Sequence, residues 1–140
     1  MKTLDEIINN ESYEKLNGAL KERTYELAKK IREAMRSAEV TEIGDYSIRT
    51  VRSNSGYSDT SLYILAEAGH DYESYPEYRN LEDEKSYYYC NDFHCWIEAA
   101  KGKDRLKFLN DAKSILEEIE AIKQKRMADV EEALKATENL

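Results

Sequence analysis

Cysteine, proline and glycine are all scarce in this 140-residue chain, at two, one and five residues. Two cysteines do not make a disulfide framework in a chain of this length, so the fold must rest on an ordinary core. The five glycines scatter singly, which excludes a glycine-rich phosphate loop. No run approaches the ~18 apolar residues of a membrane-spanning helix. The opening residues Met1-Lys2-Thr3-Leu4-Asp5-Glu6 are charged and lack the apolar centre of a signal peptide. These absences predict a single cytoplasmic domain with reduced thiols and no membrane contact.

What is abundant is charge, at 36% of residues against a norm of about a quarter. Its placement is uneven. Residues 41–100 hold twelve Asp/Glu and four Lys/Arg, while the two flanks together hold seventeen of each sign. The net charge of −8 therefore belongs to the middle, which also carries nine of the eleven tyrosines, the lone Trp96 and both cysteines. An acidic protein is repelled by nucleic acid and by anionic membranes, so its expected partner is a basic protein or nucleoprotein rather than DNA or RNA itself.

Periodicity divides the chain into 1–39, a helical arm; 40–100, an acidic tyrosine-rich sheet; and 101–140, a long helix. Thr3 with Glu6 forms a capping box for a short turn through Ile7 and Ile8. Asn10 or Ser12 then caps a helix from about Tyr13 to Ala38, with Leu16, Leu20, Leu27, Ile31, Ala34 and Ala38 as its apolar stripe. Val40 to Ser53 alternates as a strand with a turn at Gly44-Asp45. After a polar loop, Leu62 to Ala68 reads as its hairpin partner, with Leu62 and Ile64 inward and Tyr63 and Glu67 outward. Residues 69–85 read as a long acidic loop, and Ser86 to Ala100 as a third strand. The final helix starts near Asp104, with Leu109, Ala112, Leu116, Ile119 and Ile122 on one face. Lys123 to Arg126 interrupts that face, and Met127, Val130 and Leu134 resume it at a shifted angle. The predicted class is α+β: an N-terminal helix, a small three- to four-stranded antiparallel sheet and a long C-terminal helix.

The constellation Cys90-Asn91-Asp92-Phe93-His94-Cys95 is the one place where metal or thiol chemistry is conceivable. On an extended strand Cys90 and Cys95 point to opposite faces about 15 Å apart, and Cys90 and His94 stand roughly 13 Å apart. Neither spacing closes a metal site or a nucleophile–base pair, so no cofactor and no catalytic residue is expected. A surface remains. The outward sheet face would show aromatics among carboxylates, the composition of a protein-binding hot spot. Its expected members are Tyr63 and Trp96 as anchors, with Glu67, Asp71, Glu73, Glu82, Asp83, Glu84, Asp92 and Glu98 as charge. The alternative reading is an oligomerisation module, a homodimer formed through Met127, Val130 and Leu134; a third is a metal or redox protein using Cys90, His94 and Cys95, which requires a bend at Asn91-Asp92.

Three stretches resemble small bacteriophage- or prophage-encoded proteins, including some anti-CRISPR inhibitors. They are Tyr46-Ser47-Ile48-Arg49 before a Ser/Asn-rich loop, Asp92 to Ala99, and the helix opening Arg105-Leu106-Lys107-Phe108-Leu109. The resemblance implies a non-catalytic inhibitor that occupies the nucleic-acid-binding or target-recognition surface of a partner such as a CRISPR nuclease complex.

Overall fold

A computed structural model describes residues 1–52, 58–66, 77–83 and 98–140. The capping box forms as expected: Thr3 and Glu6 exchange backbone-to-side-chain hydrogen bonds of 3.3 and 3.4 Å and open α1, Leu4–Ile8. Asn10 then accepts the Tyr13 N–H and starts α2, Glu11–Ser37. The buried face of α2 is Thr24, Ala28, Ile31 and Met35. That face is rotated from the predicted stripe, so Leu27 and Ala34 flank the core and Leu16 is exposed. Thr24 holds a core position because its hydroxyl donates to the Leu20 carbonyl one turn back, at 2.8 Å.

Helix α2 ends in a Schellman motif. Val40 N–H reaches the Met35 carbonyl and Glu39 N–H the Arg36 carbonyl. The residue in the left-handed conformation is Glu39, φ 57°, where glycine is usual. The chain then enters β1, Glu42–Ile43, and turns at Gly44, φ 56°, into β2, Tyr46–Arg52. Strand β2 pairs antiparallel with β3, Ser58–Ala66, from Tyr46↔Ile64 to Arg52↔Ser58. Strand β3 begins four residues before the predicted start, because Ser58 to Ser61 continue the ladder.

Two expectations about the sheet are corrected. The predicted acidic loop contains a strand, β4, Glu77–Asn80, antiparallel to β3. Strand β5, Glu98–Ala99, then pairs parallel to β4, so the sheet is mixed and has five strands in the order β1-β2-β3-β4-β5. A parallel neighbour needs a crossover of about a dozen residues or more, and residues 81–97 supply that length.

Helix α3, Gly102–Ala136, has 35 residues and is about 50 Å long. It buries Phe108, Ala112, Ile115 and Ile119 against α2 and one face of the sheet. Together with Ile31, Met35, Tyr46, Leu62, Ile64 and Leu81 these form the core of an α+β fold, helices packed on one face of the sheet. Leu116, predicted to be inward, is exposed, and Leu109 lies at the core's margin. No helix among the described residues is long and apolar enough to cross a membrane.

Candidate interaction surface

Most of the predicted surface lies outside the described residues: Glu67, Asp71, Glu73, Glu84, Asp92 and Trp96, together with Cys90, His94 and Cys95. Tyr63, Glu82, Asp83 and Glu98 are described. Tyr63 points away from the helices, as alternation requires, yet it is only 2% exposed. Val51 and Tyr78 pack against it, and Asn80 Nδ2 donates to its hydroxyl at 3.4 Å. Ser47, Ser61 and Asn80 on the same face are buried as well. The middle of that face is thus buried, and Tyr63 is not the exposed anchor the sequence suggested.

Glu82 is also committed internally. Its carboxylate binds Arg32 of α2 through Nε at 2.8 Å and Nη2 at 3.0 Å, and accepts the Leu62 N–H at 2.6 Å. These bonds hold the Arg32 guanidinium above its ordinary pKa. The Asn80 side chain accepts the N–H groups of Glu82 and Asp83, fixing the turn that aims Glu82 inward. Glu98 stands 3.6 Å from Arg79 and 4.0 Å from Lys101. Arg79, itself buried, also bonds Glu77 at 3.1 Å and Asp104 at 2.9 Å. Burial would lower the Arg79 pKa, but the bonds to Asp104 and Glu77 outweigh it and leave a net rise. So β4, β5 and the first turn of α3 are joined by one cation among three carboxylates.

A second cluster anchors α3 on β2. Tyr46 donates to Asp111 at 2.7 Å, and Lys107 bridges Asp111 at 3.0 Å and Asp45 at 3.1 Å. Burial, reinforced by the bond to Asp111, raises the Tyr46 phenol far above its usual range, so it stays a neutral donor. The Tyr46 bond, then the Lys107 bond, holds the Asp111 carboxyl below its ordinary value. The bond to Asp111 raises Lys107. These groups support one another through mutual hydrogen bonds. Among the described residues no group of three or more His, Cys, Asp and Glu is placed to hold a metal.

What the molecule does expose is the end of α3. Arg126 caps the C-terminus of α2: its guanidinium bonds the carbonyls of Ala38 and Glu39 and the Glu39 carboxylate. Beyond that clamp every residue from 127 to 140 is exposed. Met127, Val130 and Leu134 are 53, 57 and 64% exposed and share one helix face. Asp129, Glu131, Glu132 and Glu138 flank them, against Lys135 alone. At the base of this arm an open groove of about 640 Å³ runs between the end of α2 and α3, lined by residues including Ala38, Glu39, Met127 and Val130. Leu4, Ile7, Ile8, Tyr13 and Leu16 are exposed as well, on α1 and the start of α2. The sequence signalled the arm through its shifted apolar face, whereas the Arg126 clamp that defines it sat unnoticed in the polar interruption.

The chain matches no protein-family model, no curated protein and no solved structure.

Proposed function

We propose that this is a non-enzymatic binding protein whose docking element is the acidic amphipathic arm of α3. The observation that carries this reading is the apolar stripe Met127–Val130–Leu134, held clear of the body by Arg126 and flanked by four carboxylates and one lysine. An amphipathic helix of this kind fits an apolar groove with a basic rim. Burying three such side chains supplies on the order of 5 kcal/mol before the costs of association. The acidic flanks add specificity and speed of encounter. They also disfavour a homodimer of arm against arm, where like charges would meet. A basic partner of the sort that handles nucleic acid is the class that suits this charge, and carboxylates bound there would compete with phosphate. Inhibition of such a partner, as the phage-protein resemblance implies, belongs to the same proposal.

The test uses the full chain, a chain ending after Arg126, and a synthetic helix with leucines on one face and lysines on its flanks. Removing 127–140 leaves the described core intact, so the shortened chain should unfold at nearly the same temperature. The full chain should bind the basic helix with an affinity that falls steeply with salt, and the shortened chain should not bind. Equal binding by both chains, or an affinity independent of salt, would refute the proposal.

A further inference from the structure

Helix α2 begins before the body does. Its core-facing stripe repeats at steps of three and four through Thr24, Ala28, Ile31 and Met35, all fully buried. Carried back along the same helix, the stripe continues: Tyr13 and Leu20 stand in line with Ile31, and Leu16 stands in line with Leu27. Cover fails over this stretch. Leu20 is half-buried, and Tyr13 and Leu16 are 67 and 72% exposed. Helix α1 buries no residue, and its Leu4, Ile7 and Ile8 are open to solvent. Five residues are too few to hold a helix by themselves in water. The capping box at Thr3 thus starts an element whose apolar side chains the single chain leaves unpacked.

Area and charge point to what covers them. Leu4, Ile7, Ile8, Tyr13 and Leu16 together offer on the order of 400 Å² of apolar surface. That is about half of the roughly 800 Å² each partner buries in a standard interface, close to the usual apolar share. The charges of residues 1–23 nearly balance, at four basic and five acidic, but they are sorted along the chain. Residues 3–14 hold Asp5, Glu6, Glu11 and Glu14 and no basic residue, whereas 15–23 hold Lys15, Lys21 and Arg23 against Glu22. Glu11, Glu14, Lys15 and Arg23 are all exposed. A second copy laid antiparallel sets its acidic end on the basic end of the first, and two-fold symmetry repeats the match. A parallel copy would set acid on acid. A uniformly basic partner, of the kind that suits the α3 arm, would gain at Glu11 and Glu14 and lose at Lys15 and Arg23.

We propose that two copies of this chain pair through α1 and the first turns of α2, antiparallel about a two-fold axis. Each overhanging stripe then supplies the cover that the other lacks. This surface lies at the N-terminal end of α2. The α3 arm leaves the body at the other end of that helix, where Arg126 bonds Ala38 and Glu39. Pairing therefore stands whether or not the arm binds a partner.

Sedimentation equilibrium over a wide range of protein concentration tests this. The full chain should pass from monomer to dimer as concentration rises, and stop there. Leu16→Glu should weaken the dimer at least tenfold. It should leave the unfolding temperature in dilute solution unchanged, because Leu16 is exposed in the single chain. The chain ending after Arg126 should pair as strongly as the full chain. Two charge variants read the antiparallel match: Lys15→Glu with Arg23→Glu makes the basic end acidic, and Glu11→Lys with Glu14→Lys makes the acidic end basic. Each alone should pair at least tenfold more weakly than the parent, and an equimolar mixture of the two should recover the dimer. The proposal is overturned if the full chain stays monomeric at every concentration, which would leave the stripe to a different protein, or if assembly continues past the dimer. It is equally overturned if Leu16→Glu pairs as well as the parent, if loss of residues 127–140 abolishes the dimer, or if mixing the charge variants restores nothing.

Discussion

Replacing Glu82 with alanine should be among the most costly single changes in this protein. The side chain accepts three hydrogen bonds from Arg32, at 2.8, 3.0 and 3.1 Å, and one from the Leu62 N–H at 2.6 Å. Both members of the pair are largely buried, with side-chain exposures of 16 and 11%. Removing one partner of a buried pair costs about 3–5 kcal/mol, because the other charge is left uncompensated. The remaining contact with water places Glu82→Ala near the lower end, at about 3 kcal/mol, with the orphaned Leu62 N–H included. For a domain of this size that corresponds to a fall of roughly 10 °C in Tm. Glu82→Gln keeps an acceptor for Leu62 and should cost about half as much. Urea unfolding of Glu82→Ala, Arg32→Met and the double variant forms a cycle, in which a coupling above about 1 kcal/mol is expected. A Glu82→Ala midpoint within a few degrees of the parent, or a coupling near zero, would refute the assignment of Glu82 to the interior. The assignment also predicts that Glu82→Gln binds a basic partner as well as the parent does, provided both are folded.

Two further changes probe local features. Glu39→Gly should raise the free energy of urea unfolding by about 0.5 kcal/mol, and the midpoint with it: relief of the left-handed conformation outweighs glycine's entropy and the loss of an exposed contact with Arg126. A lower midpoint would count against the Schellman geometry. Asp111→Asn should be less stable than the parent at pH 7, by under about 1 kcal/mol because the pair with Lys107 is well exposed. Since the folded carboxyl titrates below its usual value of 3.8, its contribution is present above that pH and lost as the pH falls through the folded value. The difference between the two chains should therefore close in acid, and a constant difference down to pH 2 would exclude the linkage.

Local signals made the helices and the first hairpin legible. Thr3 with Glu6, Asn10, and the alternation through Tyr46 to Val51 each act within a few residues, where sequence and structure share the same distances. The helix faces came out rotated because Leu16 and Leu116 are apolar but lie where no layer covers them, while Thr24 is polar and covered. Strand β4 was hidden for a different reason. Glu77-Tyr78-Arg79-Asn80 has no β-branched residue and two charges, and it pairs as a strand because distant groups satisfy it: Asp104 bonds Arg79, and the Tyr63 hydroxyl accepts from Asn80. A two-residue β5 joined in parallel has no local signature at all.

For Glu82 the surface reading rested on an arithmetic that treats segments as if they kept their own charge. The middle segment sums to −8, yet Glu82 is neutralised by Arg32 from the first flank and Asp45 by Lys107 from the last. Folding moves cations across the boundaries that the sum assumes. The same cancellation hides the arm. Residues 101–140 total zero, but 101–126 hold eight basic and five acidic residues, whereas 127–140 hold one and four. Three of these cations stand where the chain meets the body, with Arg126 on the end of α2, Lys107 on Asp45 and Lys101 beside Glu98. Beyond Arg126 there is no body to meet, and the carboxylates of the arm are left facing solvent beside Met127, Val130 and Leu134. Unspent negative charge is therefore to be sought where the chain outruns its own fold, and among the described residues that place is the end of α3.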